Sequence, residues 1–241
     1  MLTAMIKIGL RTSARIAFWG LISLAFAAAA AQAQTDVALS IYGAFNGSTN
    51  GNGVQQSPSN SAGGMLELRH ISNPLMGYDV TYSYNRDNQT YKAITYAVCG
   101  VCSGGPTWTP VSANAHELTG DWVVSAKVAN LRPFVLGGIG LLLNEPTSGQ
   151  ATTYTYVTAC GGGNPGCIVG STTTNTTSTS SSIKPVFVYG AGLDWGLLPH
   201  LGLRLQYRGN LYKAPDLTKA YTSTGAFTHS AEPMLGAYLR F

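Results

Sequence analysis

Eight stretches of this chain alternate apolar and polar residues with a period of two, the mark of strands that bury or expose one face at a time. Over 37–46, Val37, Leu39, Ile41 and Phe45 oppose Ala38, Ser40, Tyr42 and Ala44. Over 64–70, Leu66 and Leu68 oppose Met65, Glu67 and Arg69. Over 78–85, Tyr78, Val80, Tyr82 and Tyr84 oppose Asp79, Thr81, Ser83 and Asn85, a separation no helix would make. Over 114–126, Leu118, Trp122 and Val124 face away from Glu117, Thr119 and Asp121. The stretch 133–143, PFVLGGIGLLL, is apolar enough for a buried helix, but its leading proline and three glycines argue for a strand. Over 185–195, Phe187, Tyr189, Leu193 and Trp195 oppose Val188, Gly190, Gly192 and Asp194. The alternation is sharpest over 201–212, where Leu201, Leu203, Leu205, Tyr207 and Leu211 face one way and Arg204, Gln206, Arg208 and Asn210 the other. The last stretch, 234–241, sets Leu235, Ala237, Leu239 and Phe241 against Met234, Gly236, Tyr238 and Arg240.

What separates these stretches also alternates. Long polar segments at 47–63, 86–113, 144–183 and 213–226 read as loops, while SNPLMG, KVANLR and LLPH read as short turns. The longest loop contains TTTNTTSTSSS, a polar tract with too little apolar surface to order itself, so it is expected to be mobile. Strands of membrane-spanning length joined alternately by long loops and short turns match an up-and-down meander in an outer membrane, with long loops outside. One apolar face in lipid requires closure, because an open sheet would leave edge groups unpaired. The expected fold is therefore all-β: an eight-stranded antiparallel up-and-down transmembrane β-barrel with long extracellular loops.

The ends and the charge agree with export. Lys7, Arg11 and Arg15 precede an apolar run over 16–31 and a small-x-small site at Ala31, Gln32 and Ala33, so residues 1–33 read as a secretory signal peptide and 34–241 as the barrel. Without that leader the balance is eleven basic against ten acidic residues, and no basic patch interleaved with aromatics remains to bind nucleic acid. Cys99, Cys102, Cys160 and Cys167 lie in glycine-rich segments of an exported chain, where disulfides are expected. Three connectivities are open; the local pairs Cys99–Cys102 and Cys160–Cys167 are preferred for their closeness in sequence, over a thioredoxin-like site or a four-cysteine zinc site.

The segment GAGLDWGLLPHLGLRLQYR, residues 190–208, resembles a strand-turn-strand unit of the small OmpA-like outer-membrane β-barrel proteins, through Gly190, Gly192, Asp194, Leu201, Gly202, Arg204, Tyr207 and Arg208. The pattern Gly236, Leu239 and Phe241 is similar to the C-terminal assembly signal of such barrels. The resemblance runs more loosely over 37–241 and implies an eight-stranded barrel in the bacterial outer membrane, in contact with lipid and lipopolysaccharide and assembled through its last strand by the barrel-assembly machinery. The peptidoglycan-binding domain of larger members has no counterpart after the last strand, so cell-wall anchoring is not carried over. Under the barrel topology Tyr78, Trp122, Trp195 and Phe241 fall at the periplasmic rim, and Phe45, Tyr84 and Phe187 at the outer rim, forming two aromatic girdles.

The inward positions carry the one charge constellation: Glu67, Asp79, Glu117, Asp121 and Asp194 against Arg69, Arg204, Arg208 and Arg240. In so narrow a barrel these charges are expected to pair and plug the lumen, with a narrow porin-like channel as the alternative. A lipid A-modifying enzyme is a further alternative. Its HxS arrangement is not matched, since His229 and Ser230 are adjacent and a strand sends them to opposite faces. His70 and His116 read as outward residues and His200 as a turn residue, with no convergence on a metal. The reading is a non-enzymatic, monomeric outer-membrane protein without cofactor or metal, with a structural role or a role in binding an extracellular ligand through its loops.

Overall fold

The computed structural model describes residues 34–72, 75–94, 106–159 and 168–241, so residues 1–33, where the sequence suggests a signal peptide, and all four cysteines lie outside the described residues. Among the described residues twelve strands form: β1 (Gln34–Asn46), β2 (Thr49–Gly51), β3 (Val54–Pro58), β4 (Ser61–Ile71), β5 (Met76–Ile94), β6 (Pro106–Ser125), β7 (Leu131–Pro146), β8 (Gln150–Ala159), β9 (Ile168–Ser178), β10 (Ser182–Gly196), β11 (Leu201–Lys213) and β12 (Phe227–Arg240). Eight of them close a cylinder in the order β1-β4-β5-β6-β7-β10-β11-β12, with β12 returning to β1 and every pair antiparallel. These are the eight alternating stretches of the sequence, most of them extended by several residues and 201–212 by one.

The closing seam pairs Asp36 with Arg240, Val37 with Leu239 and Leu39 with Ala237. Gly236 is required there: a Cβ on it would collide with the Ser40 hydroxyl and lie 2.6 Å from the Leu39 carbonyl oxygen. Period two sorts the faces as expected from the sequence. Leu39, Ile41, Trp122 and Ile139 point outward, each 69–72 % exposed, while their strand neighbours Ala38, Tyr42, Asp121 and Gly138 turn inward. An outward belt of large apolar side chains is unfavourable in water and suits hydrocarbon.

The long connections are not simple loops. Residues 47–60 hold a small hairpin, β2 and β3, turned by Asn52 and Gly53, both at positive φ (50° and 75°), the two-residue turn that Asn-Gly favours. Residues 86–94 and 106–113 are strand rather than loop, because β5 and β6 run on together far past their neighbours, pairing as far as Ile94 with Pro106. At about 3.4 Å per residue the 20 residues of β6 greatly exceed the roughly ten that a tilted transmembrane strand needs, so its first half stands outside the lipid. Most of the Ser/Thr tract is also ordered: Thr172–Ser178 pairs with β8 over Gln150–Tyr156. Threonine is a good strand former, and backbone pairing, not burial, orders the tract. Trp108 of β6 stacks on Tyr154 of β8 with centroids 5.4 Å apart, tying this hairpin to the barrel's extension.

The last connection, 214–226, folds back over the outer mouth. Leu217 is fully buried among Val54, Tyr91, Val111, Ala113 and Ala151, with Tyr221 packed against the group. The Tyr91 hydroxyl donates to the Pro215 carbonyl (2.7 Å) and accepts from the Leu217 amide (3.1 Å), and Gln56 Nε2 also donates to Pro215 (3.1 Å). Asn52 Nδ2 donates to the Ser223 carbonyl at 2.7 Å. A second apolar core, outside the membrane belt, therefore caps the cylinder.

Candidate functional site

The interior divides lengthwise. One side, from β6, β7 and β10, carries an apolar patch: Val123, Phe134, Leu136, Val186 and Val188 pack together. The facing side is charged, because β4, β5 and β11 place Glu67, Arg69, Asp79, Arg204 and Arg208 at inward positions of their alternation.

Three arginines organise that side, and none has any exposed side-chain surface. Arg204 Nε and Nη2 grip both oxygens of Asp194, its cross-strand partner on β10, at 2.6 and 3.0 Å. Its Nη1 reaches across the lumen to Glu67. Arg69 pairs with Glu67 (2.8 Å), with Asp79 opposite it on β5 (3.1 Å) and with Asp194 (3.5 Å). Its guanidinium lies 4.0 Å over the Phe134 ring, so the apolar wall also holds the cation. Four residues further along β11, Arg208 forms a second tier, bonding Glu117 (3.1 Å), Thr81 (2.8 Å) and Thr119 (2.7 Å), with Asp121 at 3.7 Å. Above it Asn210 Nδ2 bridges Glu117 and Glu232, at 3.0 Å to each. At the turn end Arg240 donates to Asp36 at 3.0 Å.

All nine charges singled out in the sequence thus point into the lumen: Glu67, Arg69, Asp79, Asp194 and Arg204 form one linked group, Glu117, Asp121 and Arg208 a second, and Arg240 joins the first through Asp36, which lies 3.9 Å from Arg204. Four further inward charges, Asp36, Asp87, Arg132 and Glu232, were not among them. Each lies just past a strand boundary expected from the sequence: before 37, after 85, before 133 and before 234. Extending the alternation by one or two residues finds all four.

The seven rim aromatics, Phe45, Tyr78, Tyr84, Trp122, Phe187, Trp195 and Phe241, are all on the outer face and exposed. Tyr78 and Trp122 are cross-strand partners close to the short turns, and the Phe241 amide donates to the Thr35 carbonyl there. Tyr84 sits with His116, ring centroids 5.1 Å apart, towards the long connections. His70 lies beside Tyr78, and His116 Nδ1 is 2.8 Å from the Tyr82 hydroxyl. His229 Nε2 is 2.9 Å from the Tyr189 hydroxyl on the outer face, whereas the Ser230 hydroxyl donates to Glu232 inside at 3.3 Å, so base and hydroxyl are on opposite sides of the wall. Among the described residues no three His, Cys, Asp or Glu side chains are placed to hold a metal ion.

No protein-family model matches the chain, and no curated protein matches it in sequence. Solved structures similar to it include Ail, the attachment invasion locus protein of Yersinia pestis, in complex with the heparin analogue sucrose octasulfate (14 % identity, 88 % of this chain and 100 % of that one, TM-score 0.43). Others are neisserial surface protein A (13 %, 86 % and 97 %, TM-score 0.40) and the outer membrane protein OprG of Pseudomonas aeruginosa (10 %, 87 % and 96 %, TM-score 0.47). The closed eight-stranded cylinder, its apolar outer belt and its charged interior make this chain an integral barrel of the bacterial outer membrane.

Proposed function

We propose that the barrel is a non-enzymatic scaffold whose lumen is closed to solutes and whose strands and loops beyond the membrane meet an extracellular partner. The observation that carries this reading is the layer of Arg69, Arg204 and Arg208, fully buried and tied to carboxylates from four strands. An eight-stranded cylinder has room for little more than its own side chains. Parting these groups would strand a buried charge at a cost of about 3–5 kcal/mol, so the layer acts as a fixed plug. The cap formed by 214–226 closes the same cylinder a second time.

The surroundings fit the same role. Tyr78, Trp122, Trp195 and Phe241 form the girdle at the turn end, and Phe45, Tyr84 and Phe187 the girdle at the other, against lipid and lipopolysaccharide. Gly236 and Leu239 lie on the closing strand that the assembly machinery engages, and Phe241 directly follows it. The protein acts as a monomer, with local disulfides Cys99–Cys102 and Cys160–Cys167 bracing the external connections. Lipid A chemistry has no support, since His229 and Ser230 face apart; mass spectra of lipid A from cells with and without the gene are expected to be the same.

A narrow channel is the second reading, favoured by open space on both sides of the plug: a small cavity beside Asn85, Asn144 and Asn210 and a larger recess at the turn end. Liposome swelling separates the two readings. Vesicles carrying the folded protein should swell in small sugars no faster than empty ones, and faster swelling would favour the channel.

A further inference from the structure

The larger recess, about 360 Å³, opens at the turn end below the arginine layer, between the β6–β7 turn (126–130) and the β10–β11 turn (197–200). Lys127, Arg132 and Arg240 line it, and the one carboxylate on its wall, Asp194, is already shared by Arg69 and Arg204. Arg240 is held by Asp36, and Lys127 forms no ion pair among the described residues. Arg132 is the unusual member. It is only 5 % exposed, and its single hydrogen bond among the described residues runs from Nη2 to Gln34 Oε1 at 2.7 Å. Nε and Nη1 have no acceptor. Unused N–H groups on a buried guanidinium are costly, and a planar cation with spare donors is the side chain best suited to an oxyanion.

We propose that this recess binds one phosphate-type oxyanion, held by Arg132 with Lys127 as the second cation. The wall supplies a surplus of positive charge in a sheltered mouth, where such pairs are less screened than on an open surface. Leu197, Leu198 and Pro199 form an apolar flank. That flank suits a phosphate carrying a lipid tail as well as a free one.

The full chain, refolded in a neutral detergent and checked by heat-dependent gel mobility, is titrated calorimetrically with inorganic phosphate and separately with short-chain phosphatidylglycerol. One saturable site per barrel is expected for at least one probe, weakened about tenfold by Arg132→Gln and partly restored by Arg132→Lys. Binding of inorganic phosphate alone marks a soluble anion as the ligand, and binding of phosphatidylglycerol alone marks a headgroup. Arg86→Gln, on the outer face at the far end, leaves the affinity unchanged; an equal loss there would mean a general charge effect and overturn the site. Absence of saturable binding by both probes, or equal binding by Arg132→Gln, also overturns it. If Arg132→Gln gives no folded band, Lys127→Gln in the exposed turn takes its place, with about threefold weakening expected and unchanged affinity overturning the assignment.

Discussion

On the proposed reading the cylinder is closed twice, by opposite chemistry. In the middle, Arg69, Arg204 and Arg208, with no exposed side-chain surface, face the buried carboxylates of Glu67, Asp79, Asp194 and Glu117. At the outer mouth, Leu217 and Tyr221 close the opening by apolar packing against Val54, Tyr91 and Val111. The plug stands on strands hydrogen-bonded on both sides, so its geometry is set by the register of the sheet. The cap stands on an irregular segment held by a few side-chain bonds and one buried leucine. Local opening should therefore begin at the cap, while the plug should yield only with the barrel itself.

The largest effect that would test this contrast is expected at Arg204. Arg204→Ala leaves three buried carboxylates, Glu67, Asp79 and Asp194, to share Arg69 alone and should destabilise the barrel by about 3–5 kcal/mol in urea unfolding from lipid vesicles. Neutralising the acids in the same chain, as Arg204→Met with Glu67→Gln and Asp194→Asn, should recover much of that loss; no recovery would mean that packing rather than charge holds the layer. Leu217→Ala should cost about 2 kcal/mol, the low end for a buried leucine because the cap is small. That loss should appear as proteolysis within 214–226 with the barrel still folded, and a lowered global midpoint with no local cleavage would erase the distinction.

A smaller effect is expected at Tyr91, in the part of β5 that stands outside the lipid. Tyr91→Phe removes a hydroxyl that both donates to Pro215 and accepts from Leu217, worth about 1 kcal/mol in amide exchange of the cap. Burial raises the Tyr91 phenol above its ordinary value, because the ionised form is disfavoured there. The sign follows: its contribution is complete below the unfolded-state value of about 10 and is lost as pH rises beyond it, so alkali should loosen the cap of the wild type more than that of Tyr91→Phe. The smallest effect is expected at the hairpin tip, where Gly53→Ala at φ 75° should cost about 1 kcal/mol or less, visible only in exchange of β2 and β3.

The plug lies in the legible part of the sequence and the cap does not. Glu67, Arg69, Arg204 and Arg208 sit on inward positions of clean alternations, so period two is enough to bring them to one side of a closed sheet. Arg132 and Glu232 lie on β7 and β12 just before the obvious apolar stretch, where Pro133 and Pro233 interrupt the pattern. Leu217 and Tyr221 belong to a segment without periodicity, and only the tertiary structure shows what covers them. The Thr172–Ser178 strand was masked by its composition, because low apolar content excludes a core but does not exclude backbone pairing. The Asn52-Gly53 turn is legible in the sequence, a strong hairpin signal inside a segment whose composition reads as loop.

Single-channel recording in planar bilayers tests closure of the lumen most directly. The folded wild type should show no steady openings, and proteolytic removal of the cap alone should leave it silent, because the arginine layer remains in place. Sustained unitary currents through the wild type that change in size or disappear with Arg204→Ala would contradict the account.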